Sequence, residues 1–235
     1  MNKIETIYHE LLKEYGPQGW WPLLELDNSN PVNITKSGSI KGYHPNDYSY
    51  PKTENQMLEI CIGSIITQNT SWIQVEKALN NLNNLNALNI KGLRKLSDGK
   101  VKEMIKVAGY YNQKGKKIRL FAEFFYNLNG KIPTRKELLD IWGVGEETAD
   151  SMLLYAFKVP TFVVDTYTKR IFTNLGLIDK KAKYEEIKAL FEKSIKPDLI
   201  IYQEYHALIA EHAKRYYAKK MDFRKCPLFK KFKSK

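Results

Sequence analysis

From Thr53 to the end of the chain, apolar residues recur almost without a break at the three-and-four spacing of an α-helix. The spacing predicts helices over 54–67, 71–83, 91–95, 99–105, 112–129, 134–140, 146–157, 166–176, 182–194 and 199–218. Joints between them are short and carry Asn, Gly or Pro, which end helices. No stretch alternates apolar and polar residues with the period of two that a half-buried strand needs. An earlier helix is expected over 3–15, where Ile4, Ile7, Tyr8, Leu11 and Leu12 share one face before Gly16-Pro17. Residues 27–53, rich in Asn, Ser, Gly, Pro and Tyr, read as a long irregular segment, which in a compact protein is often functional. Many helices joined this tightly define an all-α protein.

Charge narrows the partners. Lysine and arginine number 38 against 26 aspartates and glutamates, a net charge of +12. That balance favours a polyanion, nucleic acid first. The two cysteines, Cys61 and Cys226, suit a reducing compartment. They are too few for an iron–sulfur cluster, which takes about four thiolates. The four histidines show neither HxxxH nor HExxH spacing, so no metal site is expected. There is neither an apolar signal core at the N-terminus nor an apolar run approaching the ~20 residues of a membrane span. A cytoplasmic, nucleoid-associated protein without membrane contact is expected. The basic end, "FRKCPLFKKFKSK", reads as a solvated and partly mobile terminus.

Chemistry concentrates between residues 134 and 172. Leu138, Leu139 and Trp142 give one helix an apolar face, and Gly143-Val144-Gly145 then turns the chain. Glycines let a backbone approach a ligand closely, and the next helix opens at once with unpaired N–H groups. Such a turn can grip a phosphate through backbone alone. It can equally be an ordinary joint in a bundle. Downstream, "KVPTFVVDTYTKRIF" pairs an extended, β-branched run with Asp165 just before a helix. An aspartate there is an ordinary N-cap, or a carboxylate held at the mouth of a cleft.

These stretches, with "SIITQNTSW" (64–72) and "GYYNQKGKKI" (109–118), resemble the helix-hairpin-helix DNA glycosylases of the endonuclease III superfamily over roughly residues 54–228. The resemblance implies a two-lobed helical fold with DNA across the cleft between the lobes. It implies base excision by base flipping, with Asp165 as the catalytic carboxylate. On that frame, residues 1–53 form a helix and irregular segment packing on the second lobe. Residues 54–165 form a barrel-like lobe containing the hairpin (138–157), and 166–235 complete the second lobe with its basic tail. Members that also nick DNA carry a lysine two residues after the second hairpin glycine; here Glu147 stands there. A carboxylate cannot form a Schiff base with the sugar, so a monofunctional enzyme is expected. Cys226-Pro227-Leu228 resembles the end of the family's cluster loop, but the other cysteines are missing. Together with "QGWWPL" (18–23), these features most resemble the 3-methyladenine DNA glycosylases of the endonuclease III type that lack the cluster.

The resemblance assigns the remaining positions. Trp20 and Trp21 are candidates to stack on a cationic alkylated base, although core packing is the competing role. Gln68 and Tyr110 would fill the gap that an extruded base leaves. Gly143, Val144, Gly145, Thr148, Lys114 and Lys169 would meet DNA phosphates, with Lys116, Lys117, Arg119 and Arg170 nearby. A monovalent cation at the hairpin is the one cofactor allowed. Double-stranded DNA with damaged bases is the expected partner and a monomer the expected state. Two rivals stay open: a mismatch thymine/uracil or adenine DNA glycosylase, and a non-catalytic DNA-binding module.

Overall fold

The computed structural model describes residues 2–29, 38–218 and 222–232. Its α-helices are α1 (Lys3–Tyr15), α2 (Glu54–Ile66), α3 (Trp72–Asn84), α4 (Ile90–Lys95), α5 (Asp98–Met104), α6 (Tyr111–Leu128), α7 (Arg135–Leu139), α8 (Glu146–Ser151), α9 (Thr166–Asn174), α10 (Tyr184–Ser194), α11 (Leu199–Tyr216) and α12 (Pro227–Phe232). Short 3-10 turns cover Lys106–Ala108 and Phe223–Lys225. Among the described residues the only β pairing is one isolated bridge, Ser29 to Lys41.

The helices form two lobes. Helices α2 to α8 build the first around α2, which is buried without interruption from Leu58 to Ile66. A helix apolar on every side belongs at the centre of a bundle. The second lobe surrounds α11, buried from Tyr202 to Ala213 and flanked by α1 and α9, with α10 packed beside α1. The N-terminal helix is fastened there by its first turn. Asn2 Nδ2 donates to Ser194 O at 2.6 Å, and Tyr205 Oη donates to Ile4 O at 2.7 Å. The lobes meet on Met152–Ala156, which packs against α2 on one side and α11 on the other.

Start signals in the sequence act as expected. Thr53 and Gln56 form a reciprocal capping box on α2, as do Thr134 and Glu137 on α7. The helix expected over 146–157 is not uniform. It is α-helical to Ser151 and then widens into a π-turn, with Phe157 N donating to Met152 O at 3.0 Å. A π-turn shifts the side chains that follow it and is common near functional sites.

The C-terminal end departs from the solvated tail expected of it. Cys226 and Leu228 are buried, Phe223 stacks on Tyr217, and Lys231 pairs with Glu10 at 2.8 Å. His212 is the pivot. Its Nδ1 is hydrogen-bonded to Tyr15 Oη at 2.8 Å and its Nε2 to Cys226 Sγ at 3.0 Å. A stretch this basic looks solvated in one dimension; its phenylalanines and cysteine find partners only in three. Residues 233–235 of the tail, and 30–37 of the irregular segment, lie outside the described residues.

Burial, with the Arg215 charge adding to it, pushes the His212 pKa down to about 3 from the ordinary 6.5. The folded protein therefore refuses a proton that the unfolded chain accepts. Stability should fall as pH drops through the interval between those values, by up to about 1.4 kcal/mol per unit. Glu59 and Glu147, pushed up to about 7, act in the opposite sense, so the test is a difference between proteins. Between pH 7 and pH 5, urea unfolding should show His212→Gln losing less stability than wild type, by roughly 2 kcal/mol. Equal losses would contradict this account.

Candidate active site between the hairpin and the aspartate-capped helix

The hairpin turn spans Asp140 to Gly145. Gly143 has φ +84°, a conformation that favours glycine, and Val144 is buried beneath it with its N–H donating to Ile141 O at 3.0 Å. Gly145 leads into α8 with no side chain capping the first turn, so that end of the helix is open to an anion. Trp142, expected on the apolar face, is instead half exposed, with Lys116 Nζ 4.3 Å from its ring centroid.

Four of the expected DNA contacts have other partners. Lys114 is buried, and its Nζ donates to Ala108 O at 2.8 Å. A helix position facing the preceding turn turned a nominal surface lysine into a brace beneath Tyr110. Thr148 is also buried, and its Oγ1 accepts from Gln68 Nε2 at 2.9 Å. Gln68 therefore does not project freely: Nε2 also reaches Gly143 O at 3.3 Å, and Oε1 accepts from Lys117. Lys169 Nζ is anchored on Ala182 O at 2.7 Å. Lys116 and Lys117 sit beside the turn, the latter packed directly against Gly143, and Lys136 pairs with Asp140 at its start at 2.9 Å. Tyr110, the expected wedge, has no such side-chain anchor among the described residues. It is 67% exposed, at a left-handed φ of +48° that tips it out at the start of α6.

Asp165 serves in both roles that its sequence position allowed. As N-cap of α9, its Oδ1 accepts from Thr168 N at 2.6 Å and Thr168 Oγ1 at 2.8 Å. Its Oδ2 is left for other work, with His206 Nε2 at 3.8 Å. The carboxylate opens on a groove of about 570 Å³ whose lining includes Glu147, Val164, Lys169, Arg170 and Tyr184. Glu147 keeps access to solvent, yet it is crowded by protein. That desolvation, and secondarily the charge of Asp165, push its pKa up to about 7. Two carboxyls, one of them raised in proton affinity, thus share one cleft.

The two tryptophans divide. Trp21 is buried, edge-on to Trp72 at 5.1 Å and to Tyr155 at 5.4 Å. Trp20 is half-buried, with its ring edge-on to His206 at 5.7 Å. Its place is set by buried Glu204, whose carboxylate accepts from Gln18 N at 2.7 Å and Gly19 N at 3.0 Å. Gly19 is obligatory: a Cβ there would lie 2.1 Å from Pro45 N. Sequence reading missed Glu204, His206, Tyr155 and Tyr184. They sit on helix faces that read as core, and their partners lie tens of residues away. Among the described residues, no group of three or more His, Cys, Asp or Glu side chains converges as a metal site would require. No helix among them is long and apolar enough to cross a membrane.

A two-lobed all-helical fold with a glycine hairpin and an aspartate capping the next helix defines a helix-hairpin-helix base-excision protein. The family model described as "HhH-GPD superfamily base excision DNA repair protein" matches residues 62–197, and the chain belongs to that superfamily of DNA glycosylases. A protein of Methanocaldococcus jannaschii, provisionally named a DNA repair glycosylase, is 40% identical over 97% of this chain and 96% of its own. Endonuclease III of Sulfolobus acidocaldarius is 28% identical over 76% of this chain and 82% of its own. Among solved structures, the H. pylori 3-methyladenine DNA glycosylase bound to 1,N6-ethenoadenine superimposes with a TM-score of 0.63. It is 26% identical and covers 90% of this chain and 94% of its own. A trapped endonuclease III–DNA covalent intermediate shares the fold, at a TM-score of 0.72, 19% identity, and coverage of 97% of this chain and 94% of its own.

The coupling between the two carboxyls is measurable. Carboxyl titration by carbon-detected NMR should place Glu147 near 7, above its ordinary 4.5. In Asp165→Asn the midpoint should drop but stay above 4.5, because desolvation, the larger cause, remains. An unmoved midpoint would separate the two groups.

Proposed function

We propose that the protein is a monofunctional DNA glycosylase that removes an alkylated purine, 3-methyladenine foremost, from duplex DNA. The observation that carries this reading is Glu147 itself. It stands two residues after the second hairpin glycine, across the groove from Asp165, where a lyase would need an amine. The H. pylori relative, described as a 3-methyladenine DNA glycosylase, supports the substrate class.

In this mechanism the hairpin backbone, with Lys116 beside it, holds phosphates of the damaged strand. Tyr110 enters the stack as the base leaves it. Gln68 reaches the gap only by releasing Thr148 and Gly143. The flipped base meets Trp20, whose electron-rich face attracts a cationic purine. As the bond from C1′ to the base nitrogen breaks, positive charge develops on the sugar. The free Oδ2 of Asp165 stabilises that charge and accepts the proton of the water that adds to C1′. The alkylated base departs neutral, needing no proton.

A second reading has one observation in its favour. A carboxyl with a pKa near 7 retains its proton in part of the population at neutral pH, so Glu147 can donate to a neutral leaving base. That suits a mismatched thymine or uracil, or an adenine. Competing substrates therefore belong in the assay. Incubation with methylated duplex DNA should release 3-methyladenine, with strand breaks only after hot alkali. Asp165→Asn should lower turnover roughly 10²–10⁴-fold while DNA binding persists. Breaks without alkali would overturn the monofunctional reading. Release from mismatched but not methylated DNA would favour the second.

A further inference from the structure

We propose that Tyr184 is a positioning residue for base excision: its hydroxyl fixes the spacing between the segment carrying Asp165 and the helix carrying Glu147. The inference rests on the role given above to Asp165. Tyr184 opens α10, which contributes neither carboxyl. Its Oη donates to Asp150 Oδ2 at 2.8 Å and accepts from Val164 N at 3.3 Å. Val164 immediately precedes Asp165, and Asp150 lies three residues after Glu147 on α8, about one helical turn on. One oxygen therefore bridges the two strands of chain on which the candidate site is built.

The bridge is rigid because Asp150 cannot move. Its side chain is fully buried, and Arg135 grips both oxygens, Nε at 2.8 Å from Oδ1 and Nη2 at 3.1 Å from Oδ2. Thr161 Oγ1 donates to Oδ1 at 3.3 Å, and Arg135 is held in turn by Glu185 at 2.6 Å. A buried carboxylate compensated on every side is a fixed point. Burial, with the negative charge of Asp150, holds the phenol far above its ordinary pKa, so it remains a donor throughout any assay range. The ring also lines the groove shared by Asp165 and Glu147. Loss of the hydroxyl frees the Val164 N–H and leaves the bond from Thr161 to Asp150, at 3.3 Å and three residues further back from Val164, to link the two segments. Catalytic geometry is sensitive to displacements of a few tenths of an ångström to an ångström.

The test is Tyr184→Phe, which keeps the ring. Single-turnover release at saturating enzyme should fall about tenfold, equivalent to about 1.4 kcal/mol of activation free energy. Affinity for duplex DNA carrying a non-hydrolysable abasic analogue should change by less than about twofold, because no DNA-facing group is removed. A residue that only supports the fold would lower thermal stability and DNA affinity together and leave the rate at saturation untouched. That outcome overturns the proposal. Adding Asp150→Asn to Tyr184→Phe should cost less than the sum of the separate effects, since both break one bond. Strict additivity also overturns it. Wild type and Asp165→Asn run alongside: an inactive wild type, or an active Asp165→Asn, would fault the reading of Asp165 itself. Full activity of Tyr184→Phe beside an active wild type and a dead Asp165→Asn would fault the positioning role alone.

Discussion

One carboxyl group ties the start of a second-lobe helix to the groove. Asp165 divides its oxygens, giving Oδ1 to the N–H and hydroxyl of Thr168 and leaving Oδ2 facing the groove. The first bond starts α9, whose Ile171 and Phe172 are buried in the second lobe. Capping also fixes the side-chain rotamer, so the second oxygen is aimed without further expense of order. An N-cap and a carboxylate at the mouth of a groove are therefore one arrangement rather than alternatives. The buried strip ahead of it, from Thr161 to Val164, is held by groups from other helices: Asp150 at Thr161, Glu192 at Phe162, and Tyr184 at Val164.

Around that point the two lobes supply different things. The first provides the glycine hairpin turn and the exposed Tyr110, both braced from below by amines that look in sequence like DNA contacts. Lys114 supports the turn before Tyr110, and Lys117 supports Gly143 through Gln68 and its own stem. The second lobe provides Trp20 through the Glu204 anchor, and His206 against Asp165. The π-turn at Met152–Ala156 joins them, carrying Tyr155, which is hydrogen-bonded to His206 Nδ1 at 2.7 Å.

What the sequence made legible follows from range. Helices, caps and the hairpin are set by residues within about a turn of one another, and they stand where periodicity put them. Asp165 was legible as a cap because the residue type and the helix start that it serves are adjacent in sequence. The direction of a lysine was not: Lys114 and Lys169 end on backbone carbonyls that only the folded chain brings near. Nor was Glu204, whose partners Gln18 and Gly19 lie 186 and 185 residues away. The tail was misread for the same reason, since Cys226 meets His212 and Lys231 meets Glu10 only after the N- and C-terminal helices pack.

The central claim is that the hairpin carries a carboxyl where a lyase carries an amine, so water and not the protein attacks the sugar. Reducing the reaction with sodium borohydride while it proceeds on methylated duplex DNA tests this directly, because a Schiff base would be trapped as a covalent protein–DNA adduct. The account predicts complete base release with no adduct, and a stable adduct appearing in Glu147→Lys if the position alone decides. A trapped adduct with the wild-type protein would contradict it, and would mean that another amine reaches C1′.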